Sequence, residues 1–216
     1  GFFGATSRRN CILDVFFGTD YHSHLGTRRG GMAAWDKDVG MQREIHNIQN
    51  SPFRTKFEGI LDEMTGTAAI GCISDTDPQP ILIRSRLGIY AICTIGVINN
   101  AEALIANHLH TTGGHFDSMT GGRVNSNELI AAMIDQKEDF AQGIRYAQDR
   151  IEGTASILIM KEGGNLIAAR DKMGRLPIVI EKNEDGYAVT FEDYAGEKLG
   201  YEVVRELGPG EIVEIS

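Results

Sequence analysis

The chain has 216 residues, of which 42% are hydrophobic and 24% charged, the balance of an ordinary folded globule rather than a disordered or fibrous one. Its formal net charge of −9 opposes a nucleic-acid backbone or an anionic membrane surface, and the basic pairs Arg8-Arg9 and Arg28-Arg29 are too short to reverse that. No run approaches the roughly 18 apolar residues of a membrane span. The 3 cysteines, Cys11, Cys72 and Cys93, form no CxxC or Cys/His ligand spacing, so no disulfide framework or zinc site is expected, and a reducing, cytoplasmic setting fits. No cofactor is called for.

The first residues, Gly1-Phe2-Phe3-Gly4-Ala5, put two large apolar side chains where most chains fray. Burial would explain them, so residues 1 to 6 are predicted to be a strand inside the core. Cys11 to Phe17 reads as a short amphipathic helix or turn-rich segment, and Thr19 to Met32 as a polar, glycine-bearing loop. His22 and His24 lie in that loop without an acidic cluster, so they are read as solvated or hydrogen-bonding rather than as metal ligands. Asn47 to Lys56 is a second polar loop.

Ala68 to Cys72 is a short apolar run ending at Ser74-Asp75-Thr76-Asp77-Pro78-Gln79-Pro80, where two prolines forbid a regular central strand. Ile81–Ile83 and Ile89–Ile95 read as a hairpin. Helical spacing follows over Asn100 to His108, with Asn99 or Asn100 as N-cap, and over Leu129 to Ile134, opened by a box-like Asn125/Glu128 pair. A third helix covers Asp139 to Ile151. Strands then follow at Ala155–Met160, Leu166–Ala169, Ile178–Ile180, Tyr187–Phe191 and Glu211–Ile215, with glycine turns at 162–165 and 183–186.

Three stretches carry a family resemblance. Ala169-Arg170-Asp171-Lys172-Met173-Gly174-Arg175-Leu176-Pro177 resembles the A-R-D-x-x-G-x-x-P motif of class II glutamine amidotransferases, the glutaminase domains of the N-terminal-nucleophile hydrolases. Gly1-Phe2-Phe3-Gly4 is similar to the segment that follows their catalytic cysteine, and Gly208-Pro209-Gly210-Glu211 to the Pro-Gly-Glu turn that closes such domains. The similarity spans 1–216 as one domain and is nearest to the glutaminase half of amidophosphoribosyltransferases, whose phosphoribosyltransferase half has no counterpart in these residues.

The resemblance implies an α+β fold, a four-layer αββα sandwich of two stacked, mostly antiparallel sheets. It implies glutamine or a related small amide as substrate, ammonia as product, an ammonia-accepting synthase domain or chain as partner, and no metal; a homo-oligomer is compatible with it. The nucleophilic cysteine is expected immediately before Gly1, activated by its own α-amine, and the Gly96 N–H is expected to serve as oxyanion donor. The segment Arg170-Asp171 is expected to be an internal pair that shapes a strand turn.

Several pocket positions depart from the family pattern. Ser74 stands where an arginine usually grips the substrate carboxylate, Ile95 where an asparagine supplies an amide donor, and Ser126 where a carboxylate holds the substrate amine. Arg28 and Arg29, in the stretch similar to His-Arg-Gly-Gln, together with Thr76 and Thr94, are the candidates to compensate, and Arg84 or Arg86 are further cations on the hairpin. Two other readings follow from those departures: a pseudo-glutaminase with a regulatory or assembly role, and a hydrolase of another amide.

Overall fold

A computed structural model describes residues 1–216. The chain runs β1 (Phe2–Ser7), α1 (Ile12–Tyr21), a 3-10 turn at Ser23–Leu25, β2 (Arg29–Asp36), β3 (Gly40–Asn47), α2 (Phe53–Phe57), α3 (Ile60–Glu63), β4 (Ala68–Ser74), β5 (Ile81–Ser85), β6 (Gly88–Ile98) and α4 (Ala101–Thr112). It continues through β7 (Met119–Thr120), β8 (Arg123–Val124), α5 (Ser126–Ile134), α6 (Phe140–Arg150), β9 (Gly153–Lys161), β10 (Leu166–Ala169), β11 (Val179–Lys182), β12 (Gly186–Thr190), α7 (Asp193–Lys198), β13 (Glu202–Glu206) and β14 (Ile212–Ile215).

One sheet has 7 strands in the order β13-β11-β12-β1-β4-β2-β3, and a second has 5 in the order β14-β10-β9-β6-β5. Phe2, Ile70, Cys72 and Val189 of the first meet Cys93, Leu158, Met160 and Leu166 of the second in a core between the sheets. The outward face of the first sheet, with Phe3, Met32 and Ile73, is covered by Val15, Phe16, Phe53 and Phe57. The outward face of the second, with Tyr90, Ile92 and Ile157, is covered by Ile130, Ile134 and Ile144. Alternation along each strand therefore makes two apolar faces per sheet, and an αββα sandwich is the way to bury all of them.

Phe2 and Phe3 are wholly buried, one on each face of β1, which lies between β4 and β12. Packing on that scale demands a small neighbour: a Cβ added to Gly18 would come within 2.4 Å of the Phe3 ring.

The expected loop at 19–32 is instead mostly regular. Its first residues complete α1 and its last begin β2, because Gly30 and Gly31 allow close approach, to the Phe53 ring and to the Gln79 carbonyl. The β2–β3 hairpin, α7 and the edge strand β13 were not legible from periodicity; β13 is exposed along its whole length. Asn125 caps α5 by accepting the Asn127 N–H at 2.9 Å, but the box is not closed. Glu128 accepts the N–H groups of Asp117 and Ser118 instead. Asn100 occupies the N-cap position of α4 without capping it, and bonds Arg150 and Glu152.

Arg170 and Asp171 both shape the turn after β10, though not by pairing with each other. Arg170 binds the Leu176 and Gly174 carbonyls and Glu206, while the Asp171 carboxylate accepts the N–H groups of Met173 and Arg175. No helix is long and apolar enough to cross a membrane.

Candidate functional site

The register of β1 and β4 defines where chemistry can occur. Phe2 pairs with Cys72, and Gly1 exchanges both backbone hydrogen bonds with Ile73, at 3.0 and 2.9 Å. One step further along β1 the partner would be Ser74, which itself pairs with Arg29 of β2. The faces follow by alternation. Phe2, Cys72 and Ala33 point between the sheets, so Ser74, Arg29 and a side chain one place ahead of Gly1 belong to that same inner face, in one row at the end of the sheet.

The second sheet contributes Gly96. The Ile89 carbonyl accepts from Glu162 and the Asn99 N–H donates to Glu152, so the odd positions of β6 face the β9 side. Even positions face the other way, where β5 pairs no further than Ile92. Thr94 N–H is taken there by Gln79 Oε1 at 2.8 Å. The next amide on that side is that of Gly96, past the end of β5, and its direction suits a donor to a developing oxyanion.

A cleft of ≈ 200 Å³ lies there, lined by Thr76, Asp77, Gly96, Ala101, Glu102, Arg123 and Ser126 among others. Three of the sequence candidates, Thr76, Gly96 and Ser126, thus share one concavity. A separate surface hollow of ≈ 580 Å³ beside Arg9, Lys182 and Glu202 includes none of them.

Ser74 is buried at the rim, its Oγ 3.2 Å from Thr76 Oγ1 and accepting the Thr76 N–H at 3.1 Å. Ser126 begins α5, and its N–H donates to Asp77 Oδ2 at 3.1 Å. The remaining candidates lie elsewhere. Thr94 alternates with Ile92 and Tyr90 on the helix-facing side of β6, so its hydroxyl does not enter the cleft. Arg28 is exposed, and its backbone N–H, with that of Thr27, anchors the loop on Asp75 at 3.1 and 2.7 Å; these bonds hold the Asp75 carboxyl below its usual range. Arg86 turns to Asp135, and Arg84 borders a separate hollow with His115 and Phe116.

The 3 cysteines are unpaired and buried. Burial pushes the Cys11 thiol up to about 12 and Cys93 well above the thiol range, so neither supplies a thiolate at neutral pH. Cys72 shares the same inter-sheet core.

His22 is wholly buried rather than solvated, with Nδ1 2.7 Å from the Gly18 carbonyl and Nε2 3.1 Å from Thr190 Oγ1. Burial lowers its pKa to about 4. A folded-state pKa below the unfolded 6.5 means that the neutral ring favours folding above pH 6.5, and that this contribution is lost as pH falls towards 4. Urea titrations at pH 7 and pH 5 should therefore show His22→Gln losing less stability on acidification, or gaining more, than the wild type; an identical pH dependence in the two would exclude a contribution from His22.

Comparison with known proteins agrees with this architecture. Residues 54–194 match a family model described as a glutamine amidotransferase domain. Over 224 residues the chain is 28% identical to an amidophosphoribosyltransferase of Methanocaldococcus jannaschii, covering 100% of this chain and 46% of that protein. It is 26% identical to the amidophosphoribosyltransferase of Bacillus subtilis, again over 100% of this chain and 46% of the other. A solved B. subtilis glutamine phosphoribosylpyrophosphate amidotransferase, complexed with ADP and GMP, superposes with a TM-score of 0.84 at 24% identity, covering 99% of this chain and 46% of that one. A second solved structure, described as the allosteric regulatory enzyme of purine biosynthesis, gives the same values. The chain thus spans about half the length of the curated relatives it matches.

Proposed function

Since this chain belongs to the glutamine amidotransferase domain family, we propose that residues 1–216 act as one glutaminase domain. It releases ammonia from the side-chain amide of glutamine for an amidophosphoribosyltransferase-like synthase on another segment or chain. The observation that carries the reading is the inner-face row: Arg29, Ser74 and the position ahead of Gly1 share one end of the first sheet, and Ser74 bonds Thr76, which lines one cleft with Gly96. A cysteine at that leading position is the proposed nucleophile.

The Gly1 nitrogen bonds the Ile73 carbonyl at 3.0 Å, so the β1–β4 ladder is directed towards that position. The cysteine's own α-amine, of intrinsic pKa about 7.7 to 8, takes the thiol proton. The thiolate adds to the amide carbon, the Gly96 N–H stabilises the oxyanion, and collapse expels ammonia after protonation of the leaving nitrogen. Water then cleaves the γ-glutamyl thioester to glutamate and regenerates the thiol.

Burial of the first strand on both faces holds the nucleophile in a fixed place, as a reacting distance of about 3 to 3.5 Å requires. The unpaired, buried cysteines fit a reducing, cytoplasmic setting.

Labelling of the full-length protein with a glutamine-mimicking diazoketone tests the assignment. One equivalent should attach to the residue preceding Gly1, as mapped by peptide mass spectrometry, and ammonia release from glutamine should stop. Label on Cys11, Cys72 or Cys93, or ammonia release that survives stoichiometric labelling, would overturn it.

A further inference from the structure

The cleft carries charges that amide hydrolysis itself does not need. Arg123, on the short strand β8, faces the same concavity as Glu102 from the first turn of α4 and Asp77 from the segment between β4 and β5. None of the three takes part in any of the chain's ion pairs. Asp77 has one oxygen tied to the Ser126 N–H at 3.1 Å and the other free of protein donors. A guanidinium and two carboxylates have therefore been brought to one small site without neutralising one another through direct contact.

The hydroxyls beside these charges bring no formal charge of their own. Ser74 and Thr76 have their hydroxyls bonded to each other and are neutral. Between the charges the wall is apolar, formed by Ile98, Ala101, Ile105 and Val124. At ≈ 200 Å³ the cleft is smaller than the usual range for drug-sized ligands and suits a single small metabolite. One cation, two anions and an apolar wall complement a zwitterion with a short methylene arm: carboxylate on guanidinium, ammonium on carboxylate, and arm along the wall.

On the reading of this site as a glutaminase pocket, we propose that Arg123 binds the α-carboxylate of the amino-acid substrate and that Glu102 with Asp77 binds its α-ammonium. Recognition of the free amino acid then comes from α4, the β7–β8 hairpin and the segment between β4 and β5, with Ser74 of β4 contributing only a neutral hydroxyl. Arg123 is exposed on a two-residue strand, so truncating it leaves the core intact.

The test is binding by calorimetry to the full-length protein, with three probes: L-glutamine, glutaramic acid, which lacks the amine, and 4-aminobutanamide, which lacks the carboxylate. Arg123→Ala should weaken glutamine and glutaramic acid tenfold or more and leave 4-aminobutanamide unchanged. Glu102→Gln should weaken glutamine and 4-aminobutanamide and spare glutaramic acid. Unaltered glutamine binding in Arg123→Ala, equal loss of all three probes, or the carboxylate-specific loss appearing in Arg29→Ala instead would overturn the assignment while leaving the glutaminase reading in place. A wild-type protein that neither binds nor hydrolyses glutamine would overturn both.

Discussion

Gly96→Ala is expected to lower glutamine turnover by about a hundredfold or more, the scale on which removal of one oxyanion donor acts, and to act mainly on kcat. The cause is steric before it is electronic. A Cβ on residue 96 would stand 2.0 Å from the Thr154 carbonyl oxygen and 2.6 Å from its carbon, both backbone atoms of β9 that cannot turn aside. β6 must therefore pull away from β9, and the N–H that faces the cleft swings with it. Substrate contacts at Arg123 and Glu102 lie on other elements and remain, so KM should change much less than kcat. Steady-state ammonia release, measured below a melting temperature determined for each variant, checks this; a folded variant with turnover within about threefold of wild type would remove Gly96 from the mechanism.

The second large effect is on stability. Glu181→Gln is expected to stabilise the protein by up to about 3 kcal/mol at pH 8 and by much less near pH 5. Glu181 is wholly buried beneath α7, and neither carboxylate oxygen has a hydrogen-bond partner. The helix comes so close that a Cβ on Gly196 would fall 1.4 Å from Oε2. Burial, reinforced by the charges of Asp193 and Glu197, lifts the carboxyl from 4.5 to about 7.

Because the folded-state value is raised, the protonated acid favours folding at low pH. That contribution falls away as pH rises from 4.5 to about 7 and is absent above it. Glutamine cannot ionise, so the stability difference between variant and wild type should widen across this window and then level off. Denaturant titrations at several pH values read it directly; a pH-independent difference would show that Glu181 does not titrate in the window. His22 works in the opposite sense, being favourable when neutral, so a double variant should have a flatter stability profile between pH 4 and 7 than either single one.

Much of this was readable from residue order alone. The adjacent phenylalanines at the start implied a strand buried on both faces, which Phe2 and Phe3 satisfy. Short apolar runs such as Ala155–Met160, buried on both faces, and period-3.6 runs such as Leu129 to Ile134 marked most of the sheet and helix assignments. The A-R-D segment carried the family, and with it the αββα layering. The β2–β3 hairpin escaped because two of its first residues are glycine, chosen for what the chain approaches and not for strand propensity.

The site was only partly legible, and for a different reason. Motif position pointed to Ser74, Gly96 and Ser126, and nearness to them to Thr76 and Thr94; of these the cleft gathers Thr76, Gly96 and Ser126, whereas Thr94 faces the helices and Arg28 is exposed. Which face a β-branched residue presents depends on register, and register is set by partners far away in sequence. Arg123, Glu102 and Asp77 gave no signal at all, since an exposed hairpin arginine, a glutamate in a helix's first turn and a loop aspartate are each commonplace by themselves. Sequence alone thus determined the layers, the leading strand and the family to which they belong. Only the tertiary structure decided which charges share a cleft, because separation along the chain says nothing about meeting across it.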